Sequence, residues 1–437
     1  MKQLYMVVLL IWFQKSGAQN LYFPPITGNQ WATVTPSELG WCDHEIQPMY
    51  DYLEATHTKG FMVLKDGKIV LEKYFGSFNQ DSVWYWASAG KSLTAFVIGV
   101  AQQKGLLSIE DKVSKYLGEG WTSCTRDQED KIRIRHLLTM TSGLDDLVPD
   151  LFCNAPECLK YKADAGTRWA YHTGVYSLLL DIVEKITGKN INNFLNQNIA
   201  WQIGMKGLWT SSSYGELYFT NIRSMARYGL LILNKGVWDG KDLMKDSEYF
   251  NAMINTSQQL NPSYGYLWWL NGKSGYLLPS LQITFPGSVI PNAPDDMVCA
   301  LGKNGQIICV IPSLNIVMLR MGDNPDGADG MITPTYLRNI FDYFNLVACN
   351  TSSSRQSLLP SEITIRPNPA HNYLTWSIPD ETVYQQVDIT DIHGRVHLSR
   401  QKTSGTLDIS NLSNGVYFLV LKDKNGTILG SRRFLKL

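Results

Sequence analysis

The 437-residue sequence predicts an α/β domain of roughly 300 residues followed by a small β-sandwich. Apolar, β-branched runs lie at both ends of the first unit, and amphipathic helical patterns fill the stretch between them. The composition then changes to a Ser-rich, Pro-punctuated segment and to short strands. We therefore expect a leader over 1–18, the main domain over 19–348, a linker over 349–362 and the sandwich over 363–437.

The first residues, MKQLYMVVLLIWFQKSGAQ, have the pattern of a secretory signal peptide. Lys2 precedes the apolar run Leu4–Phe13, and small residues follow, so cleavage is expected near Ala18 or Gln19. The alternative is a membrane anchor. The apolar run is only about ten residues, roughly half of what a bilayer core requires, which favours export.

The overall charge excludes two classes of partner. Lys and Arg together number 39, as do Asp and Glu, so the formal net charge is zero. No basic block is present that would indicate a nucleic-acid partner or a polybasic membrane patch. A hydrophobic content of 44% with 18% charged residues indicates a globular chain with a large core.

The first half of the main domain combines a hairpin with helices. A helix is expected from about Asp43, and FMVLKDGKIVLEKYF reads as two strands joined through Asp66 and Gly67. In the stretch WASAGKSLTAF, apolar residues begin to recur at helical spacing and continue until Gly105. A mixed helical region is predicted over about 132–203.

The second half returns to strands and ends in a helix. Strand signals appear in YGYLWWL and in MVCALGKNGQIICVIPSLNIVMLRMG, and a last helix is expected from about Thr335 to Leu346. Beyond the linker, short apolar or alternating runs are separated by turns at His393-Gly394, Asn414-Gly415 and Asn425-Gly426. About seventy-five residues of this kind suit a small β-sandwich.

The cysteines suit an exported chain, in which some pairing is expected. Two of them are close together in CNAPEC, where they could staple a loop. Two others flank ALGKNGQII and could face each other across a hairpin, and a third pair brackets the main domain. Because seven is odd, at least one is unpaired or bonds elsewhere. The seven are Cys42, Cys124, Cys153, Cys158, Cys299, Cys309 and Cys349.

Ser88 stands at the entrance of an apolar helix, three residues before Lys91. Positions i and i+3 share a helix face, so the lysine can reach the serine oxygen. A serine is a weak nucleophile unless an adjacent base accepts its proton, and a buried lysine can be neutral enough to do so. The alternative is an ordinary helix N-cap. A second S-x-x-K, Ser399–Lys402, lies between strand patterns and is interpreted as accidental.

Two further stretches of the sequence resemble motifs that accompany S-x-x-K in a known group of enzymes. Tyr171 precedes an amphipathic helix in TRWAYHTGVYSLLLDIVEKITG, and GKNGQIICV begins at the edge of a strand. Together these stretches resemble, in order and spacing, the S-x-x-K, Y-x-N and K-T-G motifs of the serine β-lactamase and penicillin-binding-protein superfamily, in particular its class C branch. The resemblance implies an antiparallel sheet flanked by helices, with a helical subdomain.

The resemblance also implies a role for each motif residue. Ser88 would attack a carbonyl and become acylated, Lys91 would hold the serine oxygen and keep the base form available, and Tyr171 would transfer the proton. Lys303 would supply positive potential near the substrate. Backbone N–H groups of Ser88 and Gln306 would form the oxyanion hole, with Gly305 allowing close approach of the substrate. No metal or organic cofactor is implied.

Two departures from the motifs bear on the reaction. Thr173 stands where the family has an asparagine, and the third motif reads KNG without its hydroxyl. These changes argue against antibiotic hydrolysis and favour an exported hydrolase of an ester or amide. Two alternatives remain open: a surface binding protein on the same fold without turnover, and a D-amino-acid peptidase acting on cell-wall peptides.

The tail resembles a type IX secretion sorting domain. The resemblance lies in IRPNPAHNYLTWSI, VDITDIHGRV, LDISNLSNGVYFLVLKDKNG and RRFLKL. It implies that the type IX machinery is a partner and that the chain is exported through the periplasm and the outer membrane. The alternative is a carbohydrate-binding or adhesive sandwich.

Overall fold

The computed structural model of the chain describes residues 21–212, 215–325, 334–349, 363–378, 384–391, 395–401, 405–422 and 428–437. The leader predicted over 1–18, nearly all of the predicted linker, and the predicted turns at His393-Gly394 and Asn425-Gly426 lie outside the described residues.

The described helices alternate with short strands through the first unit. The α-helices are α1 Ile46–Ala55, α2 Gly90–Gln103, α3 Ser114–Leu117, α4 Arg126–Glu129, α5 Ile134–Leu138, α6 Thr173–Thr187, α7 Ile191–Leu195, α8 Trp201–Ile203, α9 Ile222–Leu233, α10 Ser247–Met253 and α11 Pro334–Val347. The 3₁₀ turns are Ser37–Leu39, Asp43–Glu45, Ala87–Ala89, Pro156–Cys158, Lys303–Gly305 and Pro312–Leu314, and Asn196–Ala200 is a π-helical turn.

The strands form one large sheet and several small ones. They are β1 Thr58–Lys65, β2 Lys68–Tyr74, β3 Trp84–Tyr85, β4 Gly207–Ser212, β5 Gly215–Thr220, β6 Val237–Trp238, β7 Lys241–Asp242, β8 Trp269–Leu270, β9 Gly275–Tyr276, β10 Phe285–Pro286, β11 Val298–Gly302, β12 Gln306–Ile311, β13 Ile316–Gly322, β14 Thr364–Arg366, β15 Tyr373–Ser377, β16 Gln386–Asp391, β17 Val396–Gln401, β18 Thr406–Asp408, β19 Gly415–Lys422 and β20 Ile428–Lys436.

The main sheet is antiparallel throughout, with the order β2-β1-β13-β12-β11-β8. Its first hairpin turns at the predicted Asp66-Gly67 pair, where both residues have positive φ values of 52° and 81°. A two-residue turn of this kind matches the twist of the flanking strands. The N-terminal hairpin β1–β2 pairs with the late strand β13 through β1, so the first and last strands of the domain are neighbours in one sheet.

Helices cover both faces of the sheet. On one face α9 lies so close to β13 that a Cβ on Gly229 would be 2.5 Å from Val317 Cγ1. Three residues further along the strand, on the other face, Arg320 lies 4.9 Å from the ring of Tyr336 in α11. Every residue of β12 is buried, as expected for a central strand between two layers. The predicted α/β class, with an antiparallel sheet and flanking helices, is confirmed.

The region predicted as mixed helix over 132–203 is only partly helical. α5 ends at Leu138 and α6 begins at Thr173, and the residues between them form turns and short bridges. The sequence there is rich in Asp, Pro and Gly, which favour turns over helices. Likewise, only two residues of YGYLWWL, Trp269 and Leu270, form a strand.

Three disulfides hold the main unit. Cys42 bonds Cys349 across the two ends of the domain, Cys153 bonds Cys158 within the α5–α6 connection, and Cys299 bonds Cys309 between paired positions of β11 and β12. Both short-range pairs that the sequence suggested are confirmed. Cys124 is the free cysteine that an odd count requires.

The C-terminal unit is a β-sandwich, as predicted. One antiparallel sheet has the order β14-β15-β18 and the other the order β17-β16-β19-β20. Their inward side chains form a buried cluster of their own, which includes Trp376, Ile389 and Leu419. No helix in the described part of the chain is long and apolar enough to cross a membrane.

Candidate active site

The predicted nucleophile lies in a strained turn. Ser88 is the middle residue of the 3₁₀ turn Ala87–Ala89, which leads directly into α2. The residue before it, Ala87, has a φ of 46°, which is uncommon for a residue with a side chain. The surrounding structure must maintain this geometry, because it costs free energy. Ser88 is thereby partly exposed at the base of a cavity, while the helix behind it is buried.

Lys91 contacts the serine from the first turn of α2. Its Nζ lies 2.8 Å from Ser88 Oγ, and its side chain is only 2% exposed. The amine also lies over two aromatic rings, 4.0 Å from that of Tyr176 and 4.8 Å from that of Tyr171. Burial holds the pKa of Lys91 well below its ordinary value of 10.5. A neutral amine in contact with the hydroxyl can accept its proton.

Tyr171 completes the group of three. Burial raises the pKa of its phenol to about 12, and the neighbouring Ser88 hydroxyl opposes that rise. The ring stacks on Trp269, with 6.5 Å between centroids. At neutral pH the phenol therefore keeps its proton, whereas burial favours the neutral form of Lys91.

The end of β11 approaches the nucleophile closely at Gly302. A Cβ built there would lie 3.1 Å from the backbone nitrogen of Ser88 and 2.3 Å from the carbonyl oxygen of Trp86. Only glycine allows this approach. The next residues, Lys303 and Asn304, line the cavity beside Ser88. Asn304 donates a hydrogen bond from Nδ2 to the hydroxyl of Tyr85 at 2.6 Å.

Gly305 and Gln306 lie away from the nucleophile, in contrast to their predicted roles. A Cβ on Gly305 would point at Arg320, 2.3 Å from its Nη1, and the Gln306 side chain is fully buried, where it donates to the carbonyl of Gly322. Neither residue lines the cavity. The letters KNG form the turn between β11 and β12 rather than the strand edge, so the close approach falls three residues earlier, at Gly302.

The cavity around Ser88 has a volume of about 680 Å³, within the range of small-molecule sites. Of the predicted residues, Ser88, Lys91, Tyr171 and Lys303 line it together, and Thr173 lines it from the start of α6. His172 is buried, and burial lowers the pKa of its imidazole. Sequence reasoning missed most of the walls, which are apolar: Leu151, Phe152, Leu217, Leu278, Pro279, Val289 and Leu301.

The fold and the site agree with comparisons to known proteins. The family model for β-lactamase matches residues 52–338, and the model for a secretion system C-terminal sorting domain matches residues 364–433. An uncharacterized protein of Alkalihalophilus pseudofirmus is 26% identical over 59% of this chain and 81% of its own length.

Solved structures resemble the chain in fold. The octameric penicillin-binding protein homologue of Pyrococcus abyssi has a TM-score of 0.52 at 16% identity, over 87% of this chain and 88% of its own. EstCE1, a hydrolase with promiscuous acyltransferase activity, has a TM-score of 0.52 at 13% identity, over 70% of this chain and 98% of its own. The family match spans more than half of the chain. The chain therefore belongs to the β-lactamase family of serine hydrolases, and its type IX sorting domain directs it to the cell surface or the exterior.

Proposed function

We propose that the chain cleaves a carboxylic ester through an acyl-enzyme on Ser88. The observation that carries this proposal is the 2.8 Å contact between Ser88 Oγ and the buried amine of Lys91. A lysine whose pKa burial lowers, with no carboxylate partner recorded in the described part of the chain, can serve as a general base at neutral pH.

In the acylation step, Lys91 accepts the proton of Ser88 as the serine oxygen bonds to the carbonyl carbon. The carbonyl oxygen takes up the electron pair and becomes an oxyanion, which we assign to the backbone N–H groups of Ser88 and Lys303. Gly302 supports this assignment, because its lack of a side chain lets the strand end reach the nucleophile. A single oxyanion donor typically lowers the barrier by about 3 kcal/mol.

When the tetrahedral intermediate collapses, the bond to the leaving oxygen breaks and that oxygen needs a proton. Tyr171 keeps its phenolic proton up to about pH 12 and lines the cavity together with Ser88, so the phenol is suited to deliver that proton. Lys91 then restores the phenol with the proton taken from the serine. In deacylation a water molecule replaces the alcohol, and the same groups act in reverse to release the carboxylic acid and the free serine.

Two replacements favour an ester over a β-lactam or a peptide. Thr173 offers a hydroxyl where the family's asparagine would hold a substrate amide with its own side-chain amide. The residue before Gly302, which lines the cavity, is the apolar Leu301, whereas the family motif has a hydroxyl residue before its glycine. One observation favours the peptidase alternative: Lys303 lines the cavity and carries a charge suited to a substrate carboxylate. A panel of p-nitrophenyl esters, a D-alanyl peptide and a chromogenic cephalosporin separates these reactions.

Labelling with a fluorophosphonate tests the nucleophile directly. The wild-type chain is expected to gain one adduct by intact mass, and Ser88→Ala none. Ser399→Ala is the matched control, because Ser399 begins the second S-x-x-K of the sequence but lies in β17 of the tail. It should label like the wild type. A wild-type chain that gains no adduct would instead indicate a binding protein without turnover.

A further inference from the structure

One wall of the cavity comes from the α5–α6 connection. Leu151 and Phe152 line the cavity from this segment, although no motif of the sequence marks them. Phe152 is 41% exposed and lines the cavity, so its apolar ring is accessible to a bound substrate. Further apolar walls come from distant parts of the chain, including Leu278 and Val289.

The structure fixes this segment at two points. The disulfide between Cys153 and Cys158 closes the chain directly after Phe152. In addition, Gly174 in the first turn of α6 donates its backbone N–H to the carbonyl of Leu151 at 2.7 Å. A Cβ on Gly174 would be 2.1 Å from the carbonyl oxygen of Cys153, so the segment lies directly on the helix that follows Tyr171. The apolar wall is therefore held close to the catalytic residues.

The charges around the cavity restrict what this wall can contact. Among the described residues that line the cavity, the basic side chains are Lys91 and Lys303, and no aspartate or glutamate is present. Burial favours the neutral form of Lys91. A cationic substrate would find no counter-ion there, and a polar chain would lose its hydration against the apolar side chains. The lining is complementary to an uncharged hydrocarbon chain.

We infer that the segment Leu151–Phe152 is an acyl-chain wall, and that the substrate is the ester of an apolar, medium-length carboxylic acid. The inference rests on the proposed esterase function. The chain is assigned to the acyl side because the acyl group stays bound through the covalent intermediate, whereas the alcohol leaves and water must take its place. An apolar wall retains an apolar acyl group, but it would impede the entry of water at the site that the alcohol leaves.

A series of p-nitrophenyl esters tests the inference with a constant leaving group. Between butanoate and octanoate, kcat/KM should rise about two- to fourfold for each added methylene, the upper value corresponding to about 0.8 kcal/mol. In Phe152→Ala, the ratio of kcat/KM for octanoate to that for butanoate should fall about fivefold or more. The double variant Cys153→Ser with Cys158→Ser should lower the same ratio, because the wall is no longer fixed.

The control is Leu147→Ala, since Leu147 lies in the same connection, is 65% exposed and does not line the cavity. Its ratio should stay within about twofold of the wild type, a change worth about 0.4 kcal/mol. Thermal melts of each variant check folding.

Three outcomes would overturn the inference: no rise with acyl length, an unchanged ratio in Phe152→Ala, or a rise with the length of the alcohol in acetate esters instead. Fluorophosphonate labelling of Ser88 separates this failure from failure of the esterase proposal. A chain that is labelled but shows no acyl-length preference contradicts only the acyl-chain wall.

Discussion

Replacement of Lys91 by methionine separates its catalytic role from its effect on stability. The two side chains are similar in volume, so the buried site can accept the change without a large cavity. Removal of the amine takes away the general base, which typically contributes 10²–10⁴-fold, so kcat should fall by about that factor. Stability should change in the opposite direction, because the amine is buried at a cost to its charged form.

The sign of the stability change follows from proton binding. The pKa of Lys91 lies well below 10.5 in the folded state, so between those two values the unfolded chain binds the proton and the folded chain does not. The wild type is therefore penalised by about 1.4 kcal/mol for each pH unit below 10.5, down to the lowered pKa of the folded state, and the penalty disappears as the pH rises to 10.5. Lys91→Met removes this penalty.

Urea unfolding at two pH values, with steady-state kinetics alongside, measures both effects. Lys91→Met should be more stable than the wild type at pH 7 by roughly 1 kcal/mol or more, and the advantage should shrink as the pH approaches that of free lysine. A variant that is less stable than the wild type by more than about 1 kcal/mol would refute the argument, because it would indicate a charged amine with favourable partners. Retention of more than about a tenth of kcat would also refute it.

Three other predictions concern the remaining parts of the site and the domain. The kcat/KM of the wild type should rise with pH to a plateau, with a midpoint below pH 10.5, because Lys91 must lose its proton to act as the base. At that plateau Tyr171→Phe should lower kcat about 10²-fold, because the leaving oxygen loses its proton donor. A kcat/KM that does not change with pH would contradict these roles of Lys91 and Tyr171. Gly302→Ala should lower kcat at least tenfold and should also lower the melting temperature, since the new Cβ would lie 2.3 Å from the carbonyl oxygen of Trp86 and 3.1 Å from the Ser88 nitrogen; unchanged kcat would show that the β11 end does not position the oxyanion donors. Replacing both Cys42 and Cys349 by serine should cost up to about 6 kcal/mol of unfolding free energy, compared with about 2 kcal/mol for the Cys153–Cys158 pair, because the first bond closes a span of 307 residues and the second a span of 5; equal losses would contradict the chain-entropy argument.

Local sequence signals predicted the contact between Ser88 and Lys91 at the candidate site. Ser88 and Lys91 are three residues apart at the start of a helix, so their contact depends only on helix geometry. The hairpin at Asp66-Gly67 was equally predictable, since its turn chemistry is local. The alternating strands of the tail predicted a sandwich for the same reason.

Features that depend on how distant segments meet could not be predicted in the same way. KNG resembled a strand-edge motif, but three residues of this composition also suit a turn, and β12 pairs with β11 in a register that places Gly302 opposite Gln306. The glycine that contacts the nucleophile is therefore the one that ends an apolar strand. The apolar run of β11 marks Gly302 as the end of a strand, but only the pairing of β11 with β12 shows that this strand end contacts the nucleophile.

The cavity walls are a second example. Leu151 and Phe152 lie in a connection without regular structure, and their proximity to Ser88 depends on the disulfide and on the contact with α6. The CNAPEC spacing predicted a stapled loop, but nothing in the sequence placed that loop beside the catalytic serine. Substrate preference therefore had to be inferred from the structure.

The most direct test of the account is a peptide map of the enzyme quenched with acid during turnover of p-nitrophenyl octanoate. An octanoyl group is expected on the peptide that contains residue 88, and it should be absent when that serine is replaced by alanine. Steady turnover with no acylated peptide, or with the acyl group on another residue, would contradict a covalent mechanism at this hydroxyl.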